Sequence, residues 1–401
     1  MPSSPNILNR LIISNGPYTS IISSSIVNSF STPLGSKVEN NYFLGYFKSI
    51  STSNHKLQYD LAKLGLDYKK LLSFNDYFKL SIFDQQQFLR STDNSTFYEI
   101  YLPINSTTKR WHKIFSKLYP QCNFCFYEEG LMSYIKPIFD RKLRKIMANA
   151  TNYYIFYHPQ LKVLLNHYCP KIKFSQISKK AILQQLNTVK TCINVKVIEQ
   201  YSPLAMESLE MAQEEIKKNA LILPQYYYHN QPRKFRITLA LYKKNIGKLL
   251  AFNYRILFKD HPKTKSSFFD LLQSKPSPIE VKPDFILLQE LENYPIEIFA
   301  NSLKPDLVFS VYSTSLWSLP YFFNIKTFTS YEMLDQRLNF LSIYPTLSCL
   351  LTKNMIKDIN EALLEPKEIH DNLFAKTAFN EPFKTKNIFL NCYIKLLRII
   401  L

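Results

Sequence analysis

Short apolar runs, each closing on a polar turn and leading into a helical stretch, recur through this chain and limit what it can become. Asn6 to Ser14 carries Ile7, Leu8, Leu11, Ile12 and Ile13, then the turn Asn15-Gly16-Pro17, then a helical stretch through Val27. Strand-like runs return at Phe97 to Leu102, Asn123 to Tyr127, Tyr153 to Tyr157 and Val195 to Ile198, with basic helical segments at Trp111 to Leu118 and Ile135 to Ala148. Strands that alternate with helices bury both faces of a parallel sheet and leave functional groups at the strands' carboxyl ends.

The alternation starts again after a Met- and Glu-rich helical stretch at Ser202 to Ala220, read as a connector. Ala220 to Tyr228, Tyr254 to Phe258, Phe285 to Leu288 and Asp306 to Val311 read as strands. Phe235 to Ala251 and Pro295 to Ser302 read as helices. The expectation is two Rossmann-like domains facing a cleft: an N-terminal domain over 1–205, and a C-terminal domain with terminal helices over 206–401.

Composition narrows the function without choosing it. With 46% hydrophobic and 20% charged residues in 401, the chain can bury ordinary cores. Its net charge of +19 calls for an anionic partner. Nucleic acid, an acidic lipid surface and a nucleotide-activated sugar all qualify. The basic residues are spread along the chain and match no nucleic-acid-binding signature, which makes a basic nucleic-acid-binding protein the lesser alternative. The six cysteines form no dense pattern, so Cys122 and Cys125 read as structural thiols and no metal site is expected. The start, Met1-Pro-Ser-Ser-Pro5, is unlike a signal peptide, and no apolar run approaches the ~20 residues that cross a bilayer. The stretch from Lys384 to Leu401 reads either as a basic amphipathic helix resting on an anionic membrane or as a terminal helix packed on its own domain.

Three strand-end clusters carry candidate chemistry. Glu128-Glu129-Gly130 puts two carboxylates after an apolar strand. Such a pair, partly desolvated, suits a general base, although most such turns are simply solvated. Lys259-Asp260-His261-Pro262 places a His and a Lys on one side of an extended chain, with Pro262 limiting the turn. His261 suits proton donation to a leaving phosphate, and Lys259 adds charge for it. His158-Pro159 lacks that Lys and reads as structural. Ser313-Thr314-Ser315 offers hydroxyls and free N–H groups at a strand-to-helix turn, a setting for phosphate. Glu297, in a first helical turn, suits either helix capping or the two hydroxyls of a ribose.

In this order the clusters resemble those of bacterial sialyltransferases, the lipooligosaccharide enzymes and capsule polysialyltransferases among them. These share a D/E-D/E-G motif, a later His-Pro motif and a final Ser/Thr pair. The separations here, 133 residues from Glu128 to His261 and 53 from His261 to Thr314, are similar to theirs. The strongest stretch is YPIEIFANSLKPDLVFSVYSTSLWSLPYFFNIK, from Tyr294 to Lys326. The resemblance covers roughly 120 to 330. Because the last motif reads Ser-Thr-Ser, Thr314 and Ser315 are aligned through the following Leu316, with Ser313 in reserve.

The resemblance implies a GT-B fold and metal-independent, inverting transfer of sialic acid from CMP-sialic acid to a lipooligosaccharide or capsule glycan. Glu128 would be the general base and His261 the acid. Lys259, Thr314 and Ser315 would hold the CMP phosphate, and Glu297 the ribose. Glu129, Gly130 and Pro262 would support these groups. Transfer of Kdo or another nonulosonic acid from its CMP donor is the alternative. The implied location is the bacterial cytoplasm, peripheral on the inner face of the membrane.

Overall fold

The computed structural model describes residues 6–14, 16–29, 36–46, 68–73, 79–81, 84, 85, 87, 97–105, 107–130, 133, 136, 137, 140–155, 169–193, 217–224, 232–261, 268–273, 285–292, 294–311 and 313–330. The described residues fall into two compact units, one running up to Gln185 and the other starting at Leu186. The expected division at 205/206, the strand at Val195 to Ile198, most of the connector and the C-terminal tail lie outside the described residues.

The first unit is built on a seven-stranded parallel sheet. Its strands are β1 (Asn6–Ser14), β2 (Ser36–Tyr46), β3 (Tyr68–Ser73), β4 (Phe97–Pro103), β5 (Asn123–Tyr127), β6 (Asn152–Ile155) and β7 (Phe174–Gln176). The spatial order β3-β2-β1-β4-β5-β6-β7 puts the reversal of winding between β1 and β4, where α/β sheets open a crevice. Helices α1 (Pro17–Ser29), α2 (Thr108–Leu118) and α3 (Arg141–Ala148) accompany it, and α4 (Lys179–Cys192) runs through the division at Gln185/Leu186.

Apolar spacing explains these helices. In α2, Trp111 and Phe115 stand one turn apart, fully buried and stacked at 5.4 Å, while Arg110, Lys113 and Lys117 face solvent. In α3, Leu143 and Met147 repeat the pattern, and Asp140 caps the start by accepting from the Leu143 amide at 2.9 Å. The Tyr127 hydroxyl donates to the Ile13 carbonyl, tying β5 to β1 across β4.

The second unit holds a five-stranded parallel sheet in the order β10-β9-β8-β11-β12. The strands are β8 (Lys218–Ile222), β9 (Tyr254–Phe258), β10 (Phe285–Leu287), β11 (Leu307–Phe309) and β12 (Thr327–Phe328). Around them run α5 (Pro232–Ala251), α6 (Phe268–Gln273), α7 (Ala300–Leu303) and α8 (Ser315–Phe323), with 3-10 turns at Gln289–Leu291 and Ile296–Ile298. β9 and β11 are buried along their whole length, as strands covered on both faces must be. Winding reverses between β8 and β11. The strand expected over Ala220 to Tyr228 starts earlier, at Lys218, and the helix expected over Pro295 to Ser302 is a 3-10 turn followed by the one-turn α7.

Asp306 settles where β11 begins. Its carboxylate accepts from the Asn219 amide at 2.7 Å, and its own amide donates to the Asn219 carbonyl at 2.9 Å. The start of β11 is thereby pinned to β8. Both sheets thus match two Rossmann-like windings.

Candidate active site

In the first unit, the acidic motif sits at the carboxyl end of β5. Glu128 is 2% exposed, and its amide donates to the Tyr154 carbonyl at 3.0 Å, so the backbone stays on the sheet edge for one residue past the strand. Glu129 is half-buried, and its amide donates to the Ser133 hydroxyl at 2.8 Å. That hydroxyl donates in turn to the Ile104 carbonyl at 3.0 Å. Gly130 turns the chain at φ 148°, a region that L side chains rarely enter, so glycine is a steric requirement here. Beneath the turn, Tyr153 donates to the Ser133 carbonyl at 2.8 Å. Burial first, and then the nearby Glu128 charge, push the Tyr153 hydroxyl well above its ordinary range, so it stays protonated. Ser133 and Tyr153 are the residues that sequence reasoning missed; nothing in their spacing points to Glu128.

Basic groups flank this turn. Lys109 pairs with Asp140 at 2.8 Å. Burial opposes the Asp140 charge, but the bonds from Lys109 and the Leu143 amide prevail and hold its carboxyl below the usual value. Lys136, half-buried, is lowered by that burial, with Asp140 and Glu129 working against the shift.

In the second unit, residues from three chain segments meet. Lys259 leaves β9 with its amide bonded to the Ile222 carbonyl and its ammonium donating to the Glu292 carbonyl at 3.0 Å. Burial lowers the Lys259 amine to about 8, against the opposing pull of Glu297, Glu292 and Asp260. Glu292 is raised, by burial and then by Asp260. The Asp260 carboxylate accepts from the Phe268 amide with both oxygens, at 3.2 and 3.0 Å, which ties the end of β9 to the start of α6. His261 follows directly and is partly exposed at the same strand end. Pro262 lies outside the described residues.

Glu297 is buried at 4% exposure in the turn Ile296–Ile298. Its Oε1 accepts from the Ser315 hydroxyl at 3.0 Å and from the Ser318 hydroxyl at 2.5 Å. It therefore does more than cap a helix. Ser313 closes the turn into α8: its hydroxyl accepts from the Ser315 amide at 3.2 Å, and its carbonyl accepts from the Leu316 amide at 3.2 Å. Thr314, partly exposed, precedes the helix without a side-chain cap bond. The turn is anchored from below by Tyr242, whose hydroxyl accepts from the Val311 amide at 3.0 Å and donates to the Leu223 carbonyl at 3.1 Å. Ser310 donates to the same carbonyl at 2.6 Å.

The site of the second unit thus gathers Lys259, Glu297 and Ser313 to Ser315 from the ends of β9 and β11 and the segment after β10. Ammonium, carboxylate and hydroxyls in one place suit a phosphate next to a diol. Among the described residues no group of three His, Cys, Asp or Glu side chains stands ready to hold a metal. Cys122, Cys125 and Cys169 are free thiols raised by burial, to about 11, 12 and 11. A thiol held protonated in this way is a poor nucleophile. No described helix is long and apolar enough to cross a membrane.

Solved structures share the fold. The S. aureus MnaA–UDP complex aligns with a TM-score of 0.54 at 12% identity, covering 80% of this chain and 79% of its own. UDP-GlcNAc 2-epimerase from Neisseria meningitidis, bound to UDP-GlcNAc, gives 0.51 at 12% identity over 88% of this chain and 97% of its own. The Methanocaldococcus jannaschii enzyme with UDP-GlcNAc and UDP gives 0.50 at 13% identity, over 80% and 84%. Among curated proteins, the comparison finds no match.

The class defined by these windings is the GT-B glycosyltransferase fold. The sequence model of the alpha-2,8-polysialyltransferase family matches residues 50–332, and the chain belongs to that family. It is a glycosyltransferase of the sialyltransferase type.

Proposed function

We propose that this enzyme transfers sialic acid from CMP-sialic acid to a glycan hydroxyl with inversion at the anomeric carbon. The reading rests on one observation above all: at the strand ends of the second unit, Glu297 is bonded to Ser315 of the Ser313–Ser315 turn and lies within electrostatic reach of the Lys259 ammonium. That set has a cation and hydroxyls for a phosphate and a carboxylate for a ribose. Structural neighbours that bind UDP or UDP-GlcNAc support a nucleotide sugar as donor.

The hydrogen bonds refine the division of labour. Ser315 gives its one hydroxyl proton to Glu297, so it is unable to donate to a phosphate at the same time. The Ser313 hydroxyl accepts from an amide and keeps its own proton for the donor. Ser313 and Thr314 therefore hold the phosphate in this reading, and Ser315 serves Glu297. His261 gives its proton to the phosphate oxygen as the bond from the sugar to that oxygen breaks. Glu128 takes the proton from the acceptor hydroxyl as its oxygen bonds the anomeric carbon. Protein donors supply the stabilisation of the leaving group, and turnover is expected to survive chelation of divalent metal.

The family's description makes α2,8 linkage onto a sialylated glycan the first product to seek. A donor panel tests the reading: CMP release that depends on acceptor is expected from CMP-Neu5Ac and not from CMP-Kdo. Release from CMP-Kdo alone would reassign the sugar, and release from neither would refute the proposal. The bacterial cytoplasm, with peripheral attachment to the inner membrane face, is the location we propose, on the net charge of +19 and the acidic, membrane-linked glycans such an enzyme would extend.

A further inference from the structure

Ser318 is placed where a helix serine seldom works. It lies in α8 between Trp317 and Leu319, 2% exposed, one turn after Ser315 and on the same face. A buried hydroxyl in such company is costly unless bonded, and the usual remedy in a helix is the carbonyl one turn back. Ser318 instead donates to Glu297 Oε1, 21 residues earlier in the chain, at 2.5 Å. That length is typical of a hydroxyl given to a carboxylate, the stronger kind of hydrogen bond.

Two donors now share one oxygen. Ser315 and Ser318 both bond Oε1, and together they fill the two lone-pair directions that a carboxylate oxygen offers. No described side chain donates to Oε2. The pair therefore sets the rotation of the carboxylate and decides which oxygen stays available. Lys259, whose charge interacts with Glu297, has its ammonium bonded to the Glu292 carbonyl.

We infer that Ser318 is a positioning residue which, with Ser315, turns Glu297 so that Oε2 receives the hydroxyls of the donor's ribose. Ser318 thereby sets the preference of this enzyme for ribonucleotide over deoxyribonucleotide donors. The inference rests on the reading of the second unit as a CMP-donor site and assigns the part of that site which reads the sugar of the nucleotide. A hydroxyl that only glued α8 to the turn Ile296–Ile298 would affect both nucleotides alike. A positioning hydroxyl changes their ratio.

Affinities of the full-length protein for CMP and for 2′-deoxy-CMP, measured by calorimetry, separate these roles. Wild type should favour CMP by about 10-fold or more, the worth of one hydrogen bond to a charged group. Ser318→Ala should bring the ratio several-fold closer to one. Glu297→Gln should do the same, and the double variant should lose no more than Glu297→Gln alone. Ser315→Ala, at a partly exposed position, carries the same test if Ser318→Ala does not fold. An unchanged ratio in the serine variants, with wild type still favouring CMP, overturns the positioning role alone. Equal binding of both nucleotides by wild type overturns the ribose assignment. Failure of wild type to bind CMP at all overturns the donor site itself and this inference with it.

Discussion

Lys259 shows how much a single buried group can report. Its amine sits near 8 in the folded chain against 10.5 when exposed, because burial disfavours its charge more than the surrounding carboxylates favour it. Between those two values the unfolded chain binds more protons than the folded one, so Lys259 makes stability rise as pH goes from about 8 to about 10.5. Donor affinity should move the other way, since the ammonium proposed to face the phosphate is lost as pH rises through about 8. Thermal melts and donor KM across that window, compared with Lys259→Met, check both signs. The variant should flatten both profiles. Tyr242 supplies a second test. Removing its hydroxyl in Tyr242→Phe takes away the acceptor of the Val311 amide. A buried donor left without its partner costs about 1–3 kcal/mol. Urea unfolding should register that loss, and a change below a few tenths would contradict the anchoring role.

At the scale of elements, what could be read depended on length and periodicity. β1, β5, β9 and α2 were legible because apolar runs or i, i+4 apolar pairs mark them unambiguously. β7 and β12 have three and two residues and exist through their neighbours, so no local pattern could announce them. α4 was legible and passed over: Ile182, Leu186, Val189 and Ile193 recur at helical spacing and are buried. The three motifs were correctly placed at strand ends, because a parallel sheet exposes little else. Their internal wiring was not legible. That Ser315 serves Glu297 depends on α8 meeting a turn 18 residues earlier, which is a tertiary contact. One element-level consequence is measurable at α3. Its cap, Asp140, bonds the Leu143 amide, and Asp140→Ala should cost about 0.5–2 kcal/mol in urea unfolding. Loss of the neighbouring Lys109 pair, with the Lys side chain largely exposed, should add little.

For the whole molecule, composition and order carried the identification. Two repeats of strand–helix alternation foretold two parallel sheets, and each sheet winds outward from its first strand as a Rossmann-like unit does. The net charge of +19 foretold an anionic partner without naming it. Its proposed membrane counterpart is tested by deleting Lys384 to Leu401, which should weaken binding to anionic vesicles; unchanged binding would assign attachment elsewhere. The proposed transfer uses Glu128 as base and His261 as acid. The most direct test is turnover of CMP-Neu5Ac with a sialylated acceptor by Glu128→Gln, Glu129→Gln and His261→Ala. Each of Glu128→Gln and His261→Ala should lose ~10²-fold or more in turnover while still binding CMP, and Glu129→Gln should lose less. Wild-type turnover by Glu128→Gln would contradict the account.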